Sequence, residues 1–389
     1  MRFAGVDIAS LTHVIAIMTE TGKVLVKPTS FGEDAAGYEK AFALLGPNTD
    51  VFVVMEATGH YGRNFMAALW ARGYQLALIN PIRTRLFAHE DLRRAKNDPI
   101  DALGLARFGI QKGPLLPTPP FDEATDQLRE FVYLLERLTQ DFGDRVRQLH
   151  RLIDLGFPEF TRQVPNPSAQ RATAILAAYP SAQAFSDSCL RELATLRYDG
   201  SHYIGKPLAS VLVETAKASV GRHHGPAYHL ETRYICQDID RLRFELRQIQ
   251  QEIERRLAEN PVAVLLATID GLGAIAIARI IAAVGDPARF RSGAALASYV
   301  GAVPGTDRSG KGHRRSDPLC PLGNARLRRT LFMTTLGAVR RNPWLGAYYA
   351  RLRARGKPPK LALLAAMRKL LMAIYSVAKH RKPFVPQLP

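Results

Sequence analysis

Short apolar runs separated by polar turns fill the first 112 residues. Runs of strand length predict β-strands at 2–9, 12–19, 23–31, 51–55 and 74–79. Segments whose apolar residues recur at helical spacing predict helices at 33–45, 61–72 and 91–109. Strands and helices that alternate in this way pack as a sheet covered by helices. The pattern therefore predicts an α/β domain at the N-terminus.

The order of these elements is three strands, then helix, strand, helix, strand and helix. This is the order of the ribonuclease-H-like fold, a mixed sheet with helices on its faces. We assign this domain to residues 1–120 and expect a ribonuclease-H-like or RuvC-like sheet. Four prolines between 114 and 120 punctuate the chain after it and indicate a linker.

Two long polar segments, 122–156 and 230–258, each carry one narrow apolar stripe. The stripe residues recur in steps of three and four, as they do in coiled coils. We therefore expect residues 121–260 to build an antiparallel coiled-coil arm or a dimerisation element. Residues 160–229 between the two segments are rich in Pro, Tyr and His. Here we expect an irregular insertion, to which the sequence assigns no function.

Residues 261–389 are predicted to form an all-α domain. Its last helix has an apolar face typical of core packing, and Arg368 and Lys369 lie outside that face. Because charges of this kind interrupt the longest apolar runs, we expect no membrane span. The N-terminus lacks the pattern of a signal sequence, and the three cysteines suggest no disulfide framework. We therefore expect a cytoplasmic protein.

The positive charge of the chain is concentrated in its last third. The net charge is +18, and residues 261–389 contain 22 Lys and Arg but only 4 Asp and Glu. Residues 1–260 contain equal numbers of both signs, and no carboxylate follows Asp317. A surface of one sign favours a polyanionic partner, usually nucleic acid. An acidic protein partner or a simple solubility effect is the alternative.

Four carboxylates in the N-terminal domain form the first candidate site. Asp7 lies inside an apolar strand, and Glu56 directly follows another. Asp98 and Asp101 are three residues apart on one predicted helix and so share a face. Individually, each acid has an ordinary explanation as a cap, a turn or a salt-bridge partner. Together, carboxylates at one sheet edge would repel one another without cations, so we favour a site for two Mg²⁺ ions that promotes phosphoryl transfer.

A glycine pair, Gly271 and Gly273, separates two apolar helical segments. This pattern predicts the hairpin of a helix-hairpin-helix module. In such a module the glycines let backbone N–H groups approach a phosphate at the N-terminus of the second helix. A plain glycine turn between packed helices is the alternative.

The segment 304–315 combines glycines, arginines and one central serine, Ser309. Glycines allow close approach of the backbone, and the cations favour phosphate. A hydroxyl in this setting is a candidate nucleophile whose developing charge the arginines would stabilise. The alternative is a phosphate-binding loop in which the serine only donates a hydrogen bond. The basic residues of the segment are Arg308, Lys311, Arg314 and Arg315.

In this combination and order, these motifs resemble the DEDD insertion-sequence transposases of the IS-one-ten group. The likeness covers about residues 1–155 and 230–380, and the segment at 160–229 is longer than we expect for that family. Each motif is short, and the order of all of them is what makes the resemblance specific. The motifs are Gly5-Val6-Asp7, Met55-Glu56-Ala57-Thr58-Gly59, Lys96-Asn97-Asp98-Pro99-Ile100-Asp101-Ala102, Gly271-Leu272-Gly273, Pro304-Gly305 and Ser309-Gly310.

The resemblance implies a serine-dependent DNA recombinase. Asp7, Glu56, Asp98 and Asp101 would bind Mg²⁺, and Ser309 would become joined to the DNA backbone. The protein would act as a homo-oligomer, a dimer or tetramer, with its two catalytic parts meeting across subunits. A structured non-coding RNA of the element, a bridge RNA, would pair with donor and target DNA.

Two other functions remain open at this point. A RuvC-like junction resolvase or nuclease would use the same carboxylates with water as the nucleophile and would not need Ser309. A non-catalytic nucleic-acid-binding protein would need only the basic surface, although the complete set of four acids argues against it. Dependence on Mg²⁺ and a protein–DNA adduct that survives denaturation would separate the three functions.

Overall fold

The computed structural model describes residues 1–57, 60–90, 98–111, 118, 122–303 and 323–386, with the side chains at 88–90, 98 and 99 excepted. The chain divides into two compact units, Met1–Phe121 and Asp122–Pro389, called unit 1 and unit 2 below. Unit 1 carries a five-stranded sheet with helices, and unit 2 is mostly helical. Both of these features agree with the fold class predicted from the sequence.

Five strands form the sheet of unit 1: β1 (Arg2–Asp7), β2 (Thr12–Thr19), β3 (Val24–Gly32), β4 (Val51–Glu56) and β5 (Gln75–Ile79). Their order is β3-β2-β1-β4-β5. The first three strands are antiparallel neighbours, whereas β4 runs parallel to β1 and β5 runs parallel to β4. The predicted strand bounds differ from these by at most two residues. The predicted mixed sheet is therefore confirmed.

Helices cover both faces of this sheet. Because side chains alternate along a strand, neighbouring residues belong to opposite faces. Val6 and Met55 pack in one core with apolar residues of the first two helices. Phe52 and Val54 point the other way and pack with the last two. The helices of unit 1 are α1 (Ala35–Leu45), α2 (Arg63–Ala71), α3 (Pro81–Glu90) and α4 (Asp98–Gln111).

The region after β5 differs from the prediction of one helix at 91–109. Helix α3 already occupies Pro81–Glu90, and α4 begins at Asp98, with 91–97 outside the described residues. The Oδ1 atom of Asn80 accepts a hydrogen bond from the backbone N–H of Ile82, 2.9 Å away, and Pro81 occupies the first turn. Asn before Pro is a helix-start signal that apolar periodicity alone does not detect.

Part of the predicted linker closes one edge of the sheet. The backbone N–H of Thr118 donates to the carbonyl of Leu76 at 2.7 Å, and its hydroxyl accepts from the backbone N–H of Leu78 at 3.0 Å. Its carbonyl also accepts a hydrogen bond from the Trp70 indole at 3.1 Å. These contacts satisfy polar backbone groups that an open edge strand would leave unpaired.

Unit 2 is built from helices of very different lengths. Two are long, and the others are short or intermediate. In chain order they are α5 (Glu123–Gly156), α6 (Phe160–Gln163), α7 (Gln170–Ala178), α8 (Ala182–Ser186), α9 (Leu190–Thr195), α10 (Lys206–Lys217), α11 (Pro226–Ala258), α12 (Pro261–Leu266), α13 (Ala274–Val284), α14 (Gly293–Val300), α15 (Ala325–Arg341), α16 (Pro343–Ala354) and α17 (Pro359–His380).

The long helices α5 and α11 pack against each other as an antiparallel pair within one chain. Arg151 of α5 pairs with Glu231 near the start of α11 at 2.8 Å, and Arg145 pairs with Asp238 at 3.0 Å. Leu242, a stripe residue, is almost fully buried in this arm. A charge placed at Leu242 would therefore disrupt the arm of a single chain. Loss of oligomers in such a variant would not identify the arm as a dimerisation element.

The segment at 160–229 is not the irregular insertion expected from the sequence. It contains helices α6 to α10, which pack with the adjoining ends of α5 and α11 around one hydrophobic core. The rings of Phe157, Phe160 and Phe185 meet in this core, with centroids 5.2 to 6.3 Å apart. Helices of 4 to 12 residues are too short for a clear periodic signal, which is why the sequence pattern missed them.

The remaining helices, α12 to α17, share a second core with the opposite end of the arm. Among the described residues, helix α17 is long and apolar enough to cross a membrane by length and composition alone, a test that buried core helices also pass. However, 56% of the most apolar 18-residue stretch of this helix is buried inside the protein. Met367, Leu370 and Ile374 all contribute to that core. The apolar face of α17 therefore has the core-packing role that its spacing predicts.

Candidate catalytic site and nucleic-acid interface

Asp7 and Glu56 lie at the same edge of the sheet. Asp7 ends β1 and Glu56 ends β4, and these two strands are parallel neighbours in which Val6 is paired with Met55. The next residues along the strands are therefore at the same level, on strands about 4.8 Å apart. Both belong to the face that α4 covers, because side chains alternate from Gly5 and Val54. The two carboxylates thus share one edge and one face.

Helix α4 brings Asp101 to this edge. A Cβ atom on Gly5 of β1 would collide with the backbone of Ala102 and Ala106, so helix and strand are in direct contact there. Further along α4, Gly109 lies against Phe3 at the other end of β1. Helix and strand therefore run in opposite directions. The first turn of α4 lies at the level of Asp7, and Asp101 is a half-buried residue of that turn.

The glycine in β1 is what allows this close approach. With any side chain at Gly5, α4 would be pushed away from the strand. Asp98 begins α4, three residues before Asp101, but its side chain lies outside the described set. Among the described residues, no group of three or more His, Cys, Asp or Glu side chains is arranged as a metal-binding cluster.

Thr84 is a neighbour of the candidate site that sequence reasoning missed. Its hydroxyl donates to Oε2 of Glu56 at 2.6 Å and lies 2.9 Å from the carbonyl oxygen of Pro81. Thr84 belongs to α3, the helix absent from the prediction. Its hydrogen bond orients the Glu56 carboxylate. The only sequence signal that could have located Thr84 is the Asn80-Pro81 pair, which indicates the start of α3.

A buried histidine fixes the turn that follows Asp7. Nδ1 of His13 accepts a hydrogen bond from the backbone N–H of Ala9 at 3.3 Å, so Nε2 carries the proton and donates to Glu33 at 2.5 Å. Asn64 also donates to Glu33, at 2.9 Å. Burial opposes ionisation of Glu33, but these hydrogen bonds outweigh it and lower its pKa below the ordinary value. His13 thus holds the backbone two residues beyond Asp7.

The two glycines of the predicted hairpin have different environments. Gly271 has a φ of 86°, and a Cβ there would lie 2.7 Å from Cα of Ala338 in α15, so this glycine is required for packing. Gly273 caps α13 and has open space around its missing side chain. The backbone at Gly273 is thus accessible to a ligand, whereas Gly271 has the structural role that we held open as the alternative.

The serine loop, our name for the segment 304–315, lies outside the described residues, which include neither Ser309 nor the cations Arg308, Lys311, Arg314 and Arg315. The structure does describe the chain on both sides of the loop. Gly323 lies against the backbone of Gly301, and the N–H of Asn324 donates to the carbonyl of Tyr299 at 2.8 Å. The end of α14 and the start of α15 are therefore adjacent.

The cations of α15 to α17 form a largely one-sign surface. Arg326 pairs with Glu136 of the arm at 3.5 Å, and Arg381 pairs with Asp286. No acidic residue occurs after Asp317, so these helices cannot neutralise one another. Besides Arg326 and Arg381, the exposed cations of this region are Arg329, Arg340, Arg341, Arg351, Arg353, Arg355, Lys357, Lys360, Lys379 and Lys382.

Lys369 differs from these surface cations. Its Nζ atom lies 4.1 Å from the ring centroid of Trp344 and 4.4 Å from that of Tyr348. Burial lowers the pKa of Lys369, and the positive charge of Arg351 lowers it further. The side chain binds α17 to α16 through cation–π contacts. It is therefore part of the internal packing of unit 2.

Comparison with known proteins agrees with the motifs. Residues 4–158 match a family model described as a transposase of the DEDD, IS110 type, and residues 263–350 match the transposase model of the IS116/IS110/IS902 family. The four acids fall within the first match, and Gly271, Gly273 and Ser309 fall within the second. The segment at 160–229 lies between the two matches.

Several curated proteins resemble the chain along most of its length. It is 24% identical to the insertion element IS110 uncharacterized 43.6 kDa protein of Streptomyces coelicolor, over all of this chain and 96% of that protein. It is 26% identical to the mini-circle putative transposase for IS117 of the same organism, over 99% of this chain and 95% of that protein. The pilin gene-inverting protein of Moraxella bovis is 25% identical over 85% of this chain and 81% of its own length.

These matches define a DNA transposase or recombinase. The chain belongs to the IS110/IS116/IS902 family of transposases.

Proposed function

We propose that this chain cuts and rejoins DNA for an insertion sequence through a covalent serine–DNA intermediate. The observation that carries the metal-dependent part of the proposal is the placement of Asp7 and Glu56 on neighbouring parallel strands, with the first turn of α4 at the same level. The serine step comes from the family resemblance. The order of the strands supports a ribonuclease-H-like unit 1. A relative named a pilin gene-inverting protein supports recombination, since inversion of a gene requires both cutting and rejoining.

The carboxylate edge suits Mg²⁺ in its chemistry. Asp7, Glu56, Asp98 and Asp101 supply only oxygen donors, which hard divalent cations prefer. When bound there, Mg²⁺ supplies positive charge that offsets the charge of a reacting phosphate. The protein itself contributes orientation, because Thr84 donates to Glu56 and His13 holds the turn after Asp7. Asp7, Glu56, Asp98 and Asp101 would hold the metal in the proposed site.

In unit 2, the proposed nucleophile is Ser309. Its Oγ would attack a DNA phosphorus and lose its proton, the bond from that phosphorus to one bridging ester oxygen of the DNA would break, and that oxygen would take up a proton and leave as the hydroxyl of the freed DNA end. A hydroxyl from another strand would then displace Ser309 and restore a DNA phosphodiester. Arg308, Arg314 and Arg315 would stabilise the charge on the phosphate oxygens during both steps.

The proposal includes a structured non-coding RNA of the element that pairs with donor and target DNA, and a homo-oligomeric assembly. Both come from the family resemblance. The basic surface of unit 2 is compatible with either nucleic acid, since phosphates dominate affinity in both. Backbone N–H groups at Gly273 supply a further phosphate contact in this proposal.

Strand exchange in a purified system tests the proposed function. We expect the full-length protein, with the RNA that accompanies it, to convert DNA bearing the element junction into rejoined recombinants. The reaction should require Mg²⁺ and stop when a chelator removes it. If only cut ends accumulate and no rejoined strand forms, the water-using nuclease replaces the recombinase as the function.

Salt dependence tests the assignment of nucleic-acid binding to unit 2. Unit 1 contains 13 Lys and Arg against 11 Asp and Glu, so nearly all of the net charge lies in unit 2. We expect fragment 122–389 to retain most of the affinity of the chain for duplex DNA. That affinity should fall about 10³-fold between 50 and 200 mM salt, as condensed counterions are released. Equal binding by fragment 1–121 at matched salt would contradict the assignment.

A further inference from the structure

Helix α15 presents an unusual face to solvent. Its buried side, with Leu327, Leu331 and Ala338, packs into the core of unit 2. The opposite side is a line of exposed residues spaced three or four apart, which places them on one face of the helix. These residues are Arg326, Arg329, Met333, Leu336, Gly337 and Arg340.

The centre of this face is apolar and its ends are basic. Met333 is 59% exposed and Leu336 is 38% exposed, although both are large apolar side chains. Arg329 and Arg340 lie on either side, about 16 Å apart along the axis at 1.5 Å per residue. Arg326 is drawn towards Glu136 of the arm. Arg329 and Arg340 are therefore the cations best placed to contact a partner of this face.

Gly337 has no packing role among the described residues. A Cβ there would meet no described atom within 4 Å, whereas a Cβ at Gly109, Gly156 or Gly346 would collide with its neighbours. Glycine inside a helix is unfavourable compared with alanine. An exposed glycine next to Met333 and Leu336 leaves a shallow part of the face. A partner can approach the helix backbone closely there.

We infer that α15 lies in the major groove of duplex DNA, with Met333 and Gly337 against base edges. The major groove is about 12 Å wide and admits one α-helix. Arg329 and Arg340, at the two ends of this face, would then reach phosphates at the two ends of the contact, while the exposed apolar centre would contact thymine methyl groups. Charge complementarity selects a polyanion. The deep, narrow major groove of A-form RNA excludes a helix, so the geometry selects DNA.

The inference rests on the proposed function, because it gives the DNA of that function a place on the protein. It also gives α15 a role separate from the serine loop that precedes it. In this arrangement Gly337 and Met333 contribute contact with bases, whereas Arg329 and Arg340 contribute contact with the backbone.

Gly337→Ala in the full-length protein tests the inference, because the substitution favours the helix itself. We expect the melting temperature to stay equal or to rise by about 2 °C. Affinity for a labelled B-form duplex, measured by fluorescence anisotropy, should nevertheless fall about tenfold, which corresponds to about 1.4 kcal/mol. Gly143→Ala is the matched control, since Gly143 is also inside a helix and only the end of the Arg147 side chain is near it. The control should be as stable and bind DNA as the wild type does.

Base contact can be measured separately. Replacing thymine by uracil in the duplex removes the methyl groups, so wild-type affinity should fall, and Met333→Ala should lose this sensitivity. Wild-type affinity in Gly337→Ala would overturn the inference and leave the proposed function intact. Weakened binding of an RNA duplex with unchanged binding of DNA would also overturn it. Failure of the wild type to bind any DNA would remove the proposed function together with this inference.

Discussion

Asp7→Asn in the full-length protein is expected to lower strand exchange on the order of 10³-fold while leaving the fold and DNA binding unchanged. Asparagine has nearly the same shape as aspartate but carries no charge, so the sheet edge keeps its packing and loses a ligand for a cation. DNA binding should persist because the basic surface belongs to unit 2. Recombinant product, melting temperature and DNA affinity are the three quantities to measure.

Asp50→Asn is the matched control. Asp50 is an exposed acid directly before β4, at the opposite end of the strand from Glu56. Its loss should leave strand exchange at the wild-type rate. Asp101→Asn should be as damaging as Asp7→Asn, and the double variant should be little worse than either, because residues of one site act as a unit. Near-normal exchange by both single variants would remove the metal site from the proposal.

The strands of unit 1 were predictable because each is a short apolar run bounded by turns. That pattern also placed Glu56 at a strand end, but it placed Asp7 inside its strand, whereas β1 ends at Asp7. The parallel pairing of β1 with β4 is what brings the two acids to one edge. The sequence did not show how close α4 lies to β1. That contact depends on Gly5, whose significance appears only when Ala102 and Ala106 are seen against it.

Thr84 and His13 were missed for a different reason. Each acts through a hydrogen bond to a residue far away in sequence, Thr84 to Glu56 and His13 to Glu33. Hydrophobic periodicity carries no information about such pairs. Hydrophobic periodicity did not predict the short helices at 160–229, because a helix of one or two turns is too short to show a period.

The exposed face of α15 shows what composition alone cannot predict. The charge of the last third was evident from composition, but composition cannot say which cations share a face or which glycine is free of packing. Gly271 and Gly337 look alike in sequence. In the structure, Gly271 packs against Ala338 of α15. Gly337, the neighbour of Ala338 in α15, faces open space.

Ser309→Ala is expected to abolish a covalent protein–DNA adduct. Wild-type protein with DNA, the accompanying RNA and Mg²⁺ should give a species that survives denaturing electrophoresis. Mass spectrometry should place the nucleotide on the peptide that contains Ser309. Ser316→Ala is the matched control, because Ser316 is a second serine that directly follows the same basic segment. That variant should form the adduct as the wild type does.

The expectation follows from what strand exchange requires. Free ends would be lost if water cut the DNA, whereas an ester to serine keeps the phosphodiester bond energy for the rejoining step. A serine hydroxyl is a weak nucleophile at neutral pH, so its charge must be stabilised as it attacks. Arg308, Arg314 and Arg315 supply that stabilisation in the proposal. Wild-type recombination by Ser309→Ala would therefore eliminate the covalent mechanism and leave the carboxylates of unit 1 as a nuclease site that uses water.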